Sequence, residues 1–422
     1  MLIIPNIQQK SEKKGLLESR NPSLYNEPMD ELQDLLTRGV INVIPNSDLL
    51  KKKLEAGDKL NIYMGIDPTA TRIHLGHAVP LRKLQKFAEM GHNVTFLIGD
   101  FTALIGDTSD KESERPILTS EQIQENFKLY KEQASKIIDF SKVSVRHNSE
   151  WLSKLTFADI IKLCQHFSFG DFASRELIKK RLTEGKKVGL HEALYPVMQG
   201  YDSYELKTDV QIGGADQTFN MQAGRELIKD LEDRESFVLA TDYLIGTDGR
   251  KMSKTWGNAI WLEDNASDMF GKVMSLKDDL IIDYFLLATD TTHEELENIK
   301  KRLEEGENPM ALKKKLALKI VAELHNADEA TKASENFQST VQNKELPSDI
   351  PEYELKDNQG MIDALVESQS VESKSEAKRL LEQGGLELNG EKLNLENVNQ
   401  TIKNDDILKI GKHKYLKLVV KS

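Results

Sequence analysis

The sequence predicts an α/β protein: a parallel-sheet domain, then an α-helical domain, then a small α+β domain. Three observations carry that expectation. Between residues 61 and 241, short apolar β-rich runs alternate with helix-length amphipathic segments. That is the pattern of a parallel sheet covered by helices on both faces. After Gly257 the pattern is helical throughout. Beyond Pro347 and Pro351 come two short helices and then short β-rich runs.

Residues 61–66 (Asn-Ile-Tyr-Met-Gly-Ile) read as a strand ending in a Pro-containing turn. Residues 76–90 read as a helix with Leu81, Leu84, Phe87 and Ala88 on one face and Pro80 in the first turn. Residues 93–98 form an apolar buried strand. Helix 121–140, strand 143–146 and helix 157–166 follow. Helices 175–184 and 191–204 come next, then strand 209–212, helix 216–231 and strand 237–241. This succession is Rossmann-type, and such sheets bind ligands where strands turn into helices at their carboxyl ends. The helical domain reads as segments 267–275, 278–288, 293–304 and 309–325. The last domain reads as helices 360–368 and 373–383, with Gly384-Gly385 ending the second, and strands near 386–389, 406–410 and 415–420. The division is an N-terminal extension 1–28, a catalytic domain 29–262, a helical domain 263–345, a linker 346–358 and a terminal module 359–422.

Hydrophobic residues make up 39% and charged residues 30%, ordinary for a globular chain. No apolar run is long enough to span a membrane. The first residues lack a secretory signal pattern. Cys164 is the single cysteine, which excludes an internal disulfide and a cysteine zinc cluster. A cytoplasmic protein with no metal site of its own is expected. The net charge of −12 argues against a general nucleic-acid coat. From Leu355 onward, 11 basic residues balance 11 acidic ones, so the first 354 residues carry the whole deficit. The tail is the less repulsive place for a polyanion.

The chemistry lies in short motifs. His74-Leu-Gly76-His77 stands at a strand-to-helix junction, where free N–H groups and the helix dipole favour anions. Gly76 leaves room for a flat base against the backbone. Asp67-Pro-Thr69 precedes it. Far downstream, Lys251-Met-Ser-Lys254-Thr255 sits among Gly246, Gly249 and Gly257, a hinged loop whose lysines can close over a triphosphate. There is no GxxxxGK[ST] loop and no GxGxxG, so if the chain binds ATP it does so through the histidine and lysine motifs. Residues 106–115, with Asp107, Lys111 and Arg115, offer an acid, hydroxyls and two cations after a strand. Tyr195, Gln199 and Asp202 share one helical face, a pocket wall. Gln211-Ile-Gly213-Gly214-Ala-Asp216-Gln217 ends a strand. Its glycines allow close approach to a ribose or phosphate, and its carboxylate can accept ribose hydroxyls.

Together these motifs resemble, over nearly the whole chain, the bacterial type of tyrosyl-tRNA synthetase, a class I aminoacyl-tRNA synthetase. The resemblance implies ATP-dependent activation of L-tyrosine and its transfer to tRNA(Tyr), with Mg²⁺ accompanying ATP, in a homodimer. It implies that Tyr63 and Asp202 bind the substrate phenol, and that Tyr195, Gln199 and Asp107 hold its α-ammonium. Gly65, Gln211, Gly214, Asp216 and Gln217 match ribose and carboxylate contacts. Asp67, Thr69, His74, Gly76 and His77 match the ATP end. Lys111, Arg115, Lys251 and Lys254 match cations that grip pyrophosphate. The loop Gly106-Asp-Thr-Ser-Asp-Lys111 departs from the more usual Gly-Asp-Pro-Ser-Gly-Lys, and Thr255 stands where serine is frequent.

Ser373 to Leu380 with Gly384 to Gly390 resembles the RNA-binding module of ribosomal protein S-four and pseudouridine synthases. Lys374, Lys378 and Arg379 start a helix able to contact phosphates, and Lys412, His413 and Lys414 form a basic turn that could join them. Two other readings compete: the same scaffold serving tryptophan, and an RNA-binding or splicing protein that has lost catalysis. The intact histidine and lysine motifs speak against the second.

Overall fold

A computed structural model describes residues 31–69, 71–106, 119–252, 256–339, 350–356, 359–371, 373–394, 397–398, 402–411 and 414–420. The extension 1–28, and Asp107, Lys111, Arg115, Lys254, Lys412 and His413, lie outside the described residues.

Six strands form the main sheet: β1 (Val40–Ile44), β2 (Asn61–Ile66), β3 (Asn93–Ile98), β4 (Val143–His147), β5 (Val210–Gly214) and β6 (Phe237–Thr241). Their order is β1-β6-β5-β2-β3-β4, with β2 to β6 parallel and β1 antiparallel on the edge of β6. All five residues of β6 are buried, as in a strand covered on both faces. β1 has no counterpart in the sequence reading. It is five residues long, its pairing slips between Val40 and Asn42, and Ile41 faces solvent, so no clean periodicity marks it. The chain runs outward from β2 through β3 to β4, then returns to lay β5 on the other side of β2. The crevice between the carboxyl ends of β2 and β5 is therefore the topological switch point of the sheet.

The expected helices form, with shifted ends. The helix after β2 is Leu75–Glu89, which places Pro80 in its second turn rather than its first. Pro80 has no N–H to give the carbonyl of Gly76 four residues back, so the helix is open where it faces the crevice. Segment 121–140 is helical as Ser120–Ala134. Segment 175–184 is helical as Glu176–Thr183, and an unanticipated short helix, Phe169–Ser174, precedes it. The helical part comprises Ala266–Met274, Ile281–Ala288, His293–Glu304, Pro309–Leu324 and an unanticipated Ala327–Phe337, capped by Asn326. One apolar cluster runs from Leu35 to Ala333, so these helices share the core of the sheet. Among the described residues no helix is long and apolar enough to cross a membrane.

A second cluster, Leu355 to Leu418, is the core of the terminal module. Its strands are β7 (Glu352–Leu355), β8 (Leu386–Leu388), β9 (Glu391–Lys392), β10 (Asp406–Ile410) and β11 (Lys414–Val420), in the order β7-β11-β10-β8-β9. Helices Met361–Glu367 and Lys374–Glu382 cover it. The linker expected over 346–358 is corrected here. Residues 352–355 are a strand paired in parallel with β11, so the module begins before residue 359.

Candidate active site

A cavity of about 360 Å³ occupies the switch-point crevice. Tyr63, Gly65, Asp67 and Thr69 come from the end of β2 and its turn, and His74, Gly76 and His77 from the start of the following helix. Gln211, Gly214, Asp216 and Gln217 come from the end of β5. Tyr195, Gln199 and Asp202 line it from the helix Tyr195–Glu205, and Lys251 from the loop after β6. Every expected catalytic, tyrosine or ATP residue among the described ones lines this one space.

The two histidines build the helix start. His74 is the N-cap, and its Nδ1 accepts the Gly76 N–H at 3.1 Å. Nδ1 of His77 accepts the His74 N–H at 3.3 Å, a reciprocal capping box made of imidazoles. The rings stack with centroids 3.8 Å apart. Burial, then the neighbouring His77 and Lys251, push the His74 pKa down to about 2. The ring is neutral, and with Nδ1 accepting, its proton sits on Nε2 as a donor. A Cβ at position 76 would lie 2.9 Å from His74 Nδ1 and 3.4 Å from the Leu244 carbonyl, so only glycine fits.

At the other end, Asp202 and Tyr63 are buried, at 3% and 1% exposure. One Asp202 oxygen accepts Trp151 Nε1–H at 2.7 Å and the other accepts Asn148 Nδ2–H at 3.1 Å. Burial raises the Asp202 pKa to about 8 against these two hydrogen bonds, with the charges of Asp67 and Asp100 adding to the rise. Burial, then Asp202, also raises the Tyr63 hydroxyl. The Tyr63 hydroxyl meets Ser203 Oγ at 2.8 Å. Tyr195 donates to Asp67 Oδ2 at 2.8 Å and Thr102 donates to Oδ1 at 2.7 Å, so Asp67 joins the two motifs. A Cβ on Gly99 would lie 2.0 Å from Asp67 Oδ1, which requires glycine there.

The sequence reading missed Asn148, Trp151, Thr102 and Ser203. Asn148 and Trp151 follow the carboxyl end of β4, and Ser203 adjoins Asp202, so position was their only signal. The helix Tyr195–Glu205 is set in place by a buried pair. Arg181 donates to both Glu192 oxygens, at 2.6 and 2.9 Å, and to the Lys187 carbonyl at 2.6 Å. The near side of the lysine loop is stapled rather than loose. Asp248 accepts from the Arg250 N–H and from Asn258 Nδ2, and Asn258 also donates to the Lys251 carbonyl.

The terminal-module residues lie apart from this cavity. Lys374, Lys378, Arg379 and Lys414 are exposed. Lys374 pairs with Asp363 at 2.6 Å, and Lys414 lies 3.8 Å from Asp268.

Two family descriptions match the chain. "tRNA synthetases class I (W and Y)" covers residues 55–342, and "Tyrosine–tRNA ligase SYY-like C-terminal domain" covers residues 342–418. The tyrosine–tRNA ligase of Dehalococcoides mccartyi strain CBDB1 is 42% identical over 398 residues, spanning 93% of this chain and 100% of its own. That of Thermotoga maritima is 40% identical over 393 residues, spanning 92% and 97%. Among solved structures, a C-terminally truncated mitochondrial tyrosyl-tRNA synthetase of Aspergillus nidulans superposes with a TM-score of 0.62. It is 23% identical and covers 73% of this chain and 93% of its own. Tyrosyl-tRNA synthetase of Archaeoglobus fulgidus, complexed with L-tyrosine, gives 0.58 at 22% identity over 72% of this chain and 99% of its own. At those identities the two structures show the common fold. With both family descriptions and whole-length relatives in agreement, the chain belongs to the tyrosine–tRNA ligases, class I aminoacyl-tRNA synthetases that join tyrosine to tRNA at the expense of ATP.

Proposed function

We propose that the crevice divides between the two small substrates. Tyr63 and Asp202 take the phenol of tyrosine, and Tyr195, Gln199 and Asp107 its ammonium group. Gly65, Gln211, Gly214, Asp216 and Gln217 take the ribose and the carboxylate. Asp67, Thr69, His74, Gly76 and His77 receive ATP, and Lys111, Arg115, Lys251 and Lys254 balance the charge of departing pyrophosphate. The observation that carries this reading is the meeting of His74, Gly76, His77 and Lys251 with Tyr63, Gln199 and Asp202 around one cavity.

The chemistry follows from these groups. A tyrosine carboxylate is ionised near neutral pH and attacks the α-phosphate without a general base. The C–O–P linkage of the adenylate forms as the bond to pyrophosphate breaks. The terminal ribose hydroxyl of tRNA(Tyr) then takes the tyrosyl group and AMP leaves. The imidazoles of His74 and His77, whose Nδ1 atoms accept backbone N–H groups and so leave Nε2–H to donate, and the lysines stabilise the developing charge in a partly enclosed space. Positioning supplies the rest. Mg²⁺ enters as the magnesium complex of ATP, held chiefly by its phosphates.

Amino-acid-dependent ATP–pyrophosphate exchange with tyrosine, phenylalanine and tryptophan tests the assignment. Exchange with tyrosine alone supports it. Exchange with tryptophan overturns the phenol site, and a folded protein inactive with all three overturns the catalytic reading.

A homodimer and a cytoplasmic location belong to the same reading. The segment between β4 and β5 exposes Phe157 (78%), Phe169 (65%) and Leu190 (78%), together with Ile161 and Leu182. Apolar side chains so concentrated suit a second copy of the chain. In sedimentation we expect a dimer that Phe157→Asp with Phe169→Asp converts to monomer. A monomeric parent protein removes this proposal.

A further inference from the structure

Ser203 lies one residue beyond Asp202 and is 1% exposed. Its Oγ sits 2.8 Å from the Tyr63 hydroxyl, 3.2 Å from Gln211 Oε1 and 3.4 Å from the Gln199 main-chain oxygen. Helix Thr218–Glu232 holds it there. A Cβ at Gly224 would lie 2.3 Å from Ser203 Oγ, so the hydroxyl fills the space that glycine leaves.

A serine hydroxyl has one proton to give. Two of its three neighbours are acceptors, and the Gln199 main-chain carbonyl cannot be reversed by an amide flip. Either hydroxyl can donate across the 2.8 Å contact, and with these oxygens as acceptors for the Ser203 proton the arrangement favours Tyr63 as the donor. A tyrosine hydroxyl that has spent its proton offers only lone pairs elsewhere.

We propose that Ser203 is a positioning residue that takes the Tyr63 proton and so presents the Tyr63 oxygen to the substrate as an acceptor. The proposal rests on Tyr63 lying at the phenol end of the site. The bound phenol then donates to Tyr63, and its oxygen is left to accept a proton from the carboxylic acid form of Asp202. Such a site prefers para substituents that donate.

Pyrophosphate exchange on the full chain, Ser203→Ala, Tyr63→Phe and the double variant tests this. The amino acids are tyrosine, phenylalanine, 4-aminophenylalanine (a donor) and 4-fluorophenylalanine (an acceptor only). In Ser203→Ala the KM for tyrosine should rise about tenfold with kcat within about twofold. The preference for the amino over the fluoro analogue should fall about tenfold. In the Tyr63→Phe background, Ser203→Ala should change either value by less than about twofold, because the residue acts through Tyr63. Equal losses in both backgrounds, or an unchanged analogue preference, overturn the proposal. Unaltered discrimination between tyrosine and phenylalanine in Tyr63→Phe alone overturns the phenol-site reading beneath it, a result seen without touching Ser203.

Discussion

Replacing Asp202 with alanine is expected to lower kcat/KM for tyrosine activation by about a hundredfold or more, through loss of the buried carboxyl proposed to pair with the phenol. The side chain is enclosed, and its removal also strands Trp151 Nε1–H and Asn148 Nδ2–H, the donors that hold it. Exchange kinetics read the effect, and near-normal tyrosine kinetics would take Asp202 out of the site. Asp202→Asn separates the fold from the chemistry. With its pKa raised to about 8, the folded protein keeps a proton that the unfolded chain releases above about pH 4. The carboxyl group's contribution to stability is thus complete below pH 4. It declines as pH rises towards 8 and is flat beyond, by at most ~1.4 kcal/mol per pH unit. Asparagine has no such slope. The difference in melting temperature between Asp202→Asn and the parent should move in favour of asparagine from pH 5 to pH 8, then level off. A constant difference over that range overturns the proposed protonation.

Deleting residues 350–422 is expected to leave tyrosine-dependent pyrophosphate exchange within about twofold while lowering tRNA charging on the order of a hundredfold at physiological salt. The module has its own apolar core and its own sheet, so its removal leaves the crevice and the core around it in place. The cut at 350 matters, because a chain ending at residue 354 would retain most of β7 without its partner β11. Lys374, Lys378 and Arg379 project from one exposed helix, and each phosphate contact they make should add to the salt dependence of charging. A shallower salt slope in the deletion is therefore part of the expected result. Charging that is unimpaired at physiological salt would end the RNA-binding reading of the module.

Much of this molecule is local in origin, and that part was legible in the sequence. Alternation of β-rich runs with amphipathic helices depends on side-chain period alone, and it placed β2 to β6 within a few residues. His74, Gly76, His77 and the Tyr195-Gln199-Asp202 face belong to single turns of helix, where spacing dictates geometry. Edge strand β1 and strand β7 were not legible. Each is short and half exposed, and is a strand only because β6 or β11 supplies its hydrogen bonds. The supports of Asp202 and Tyr63 were hidden for a related reason. Asn148 and Trp151 stand more than fifty residues before Asp202, and Ser203 is 140 residues from Tyr63.

The sequence by itself determined the residue types at each strand end, the helix periods and the capping histidines, because these rest on interactions within a few residues. Tertiary structure alone decided which strand ends meet. Laying β5 beside β2 rather than β4 creates the crevice, and burial within it turns an ordinary aspartate into a carboxylic acid that holds its proton near neutral pH.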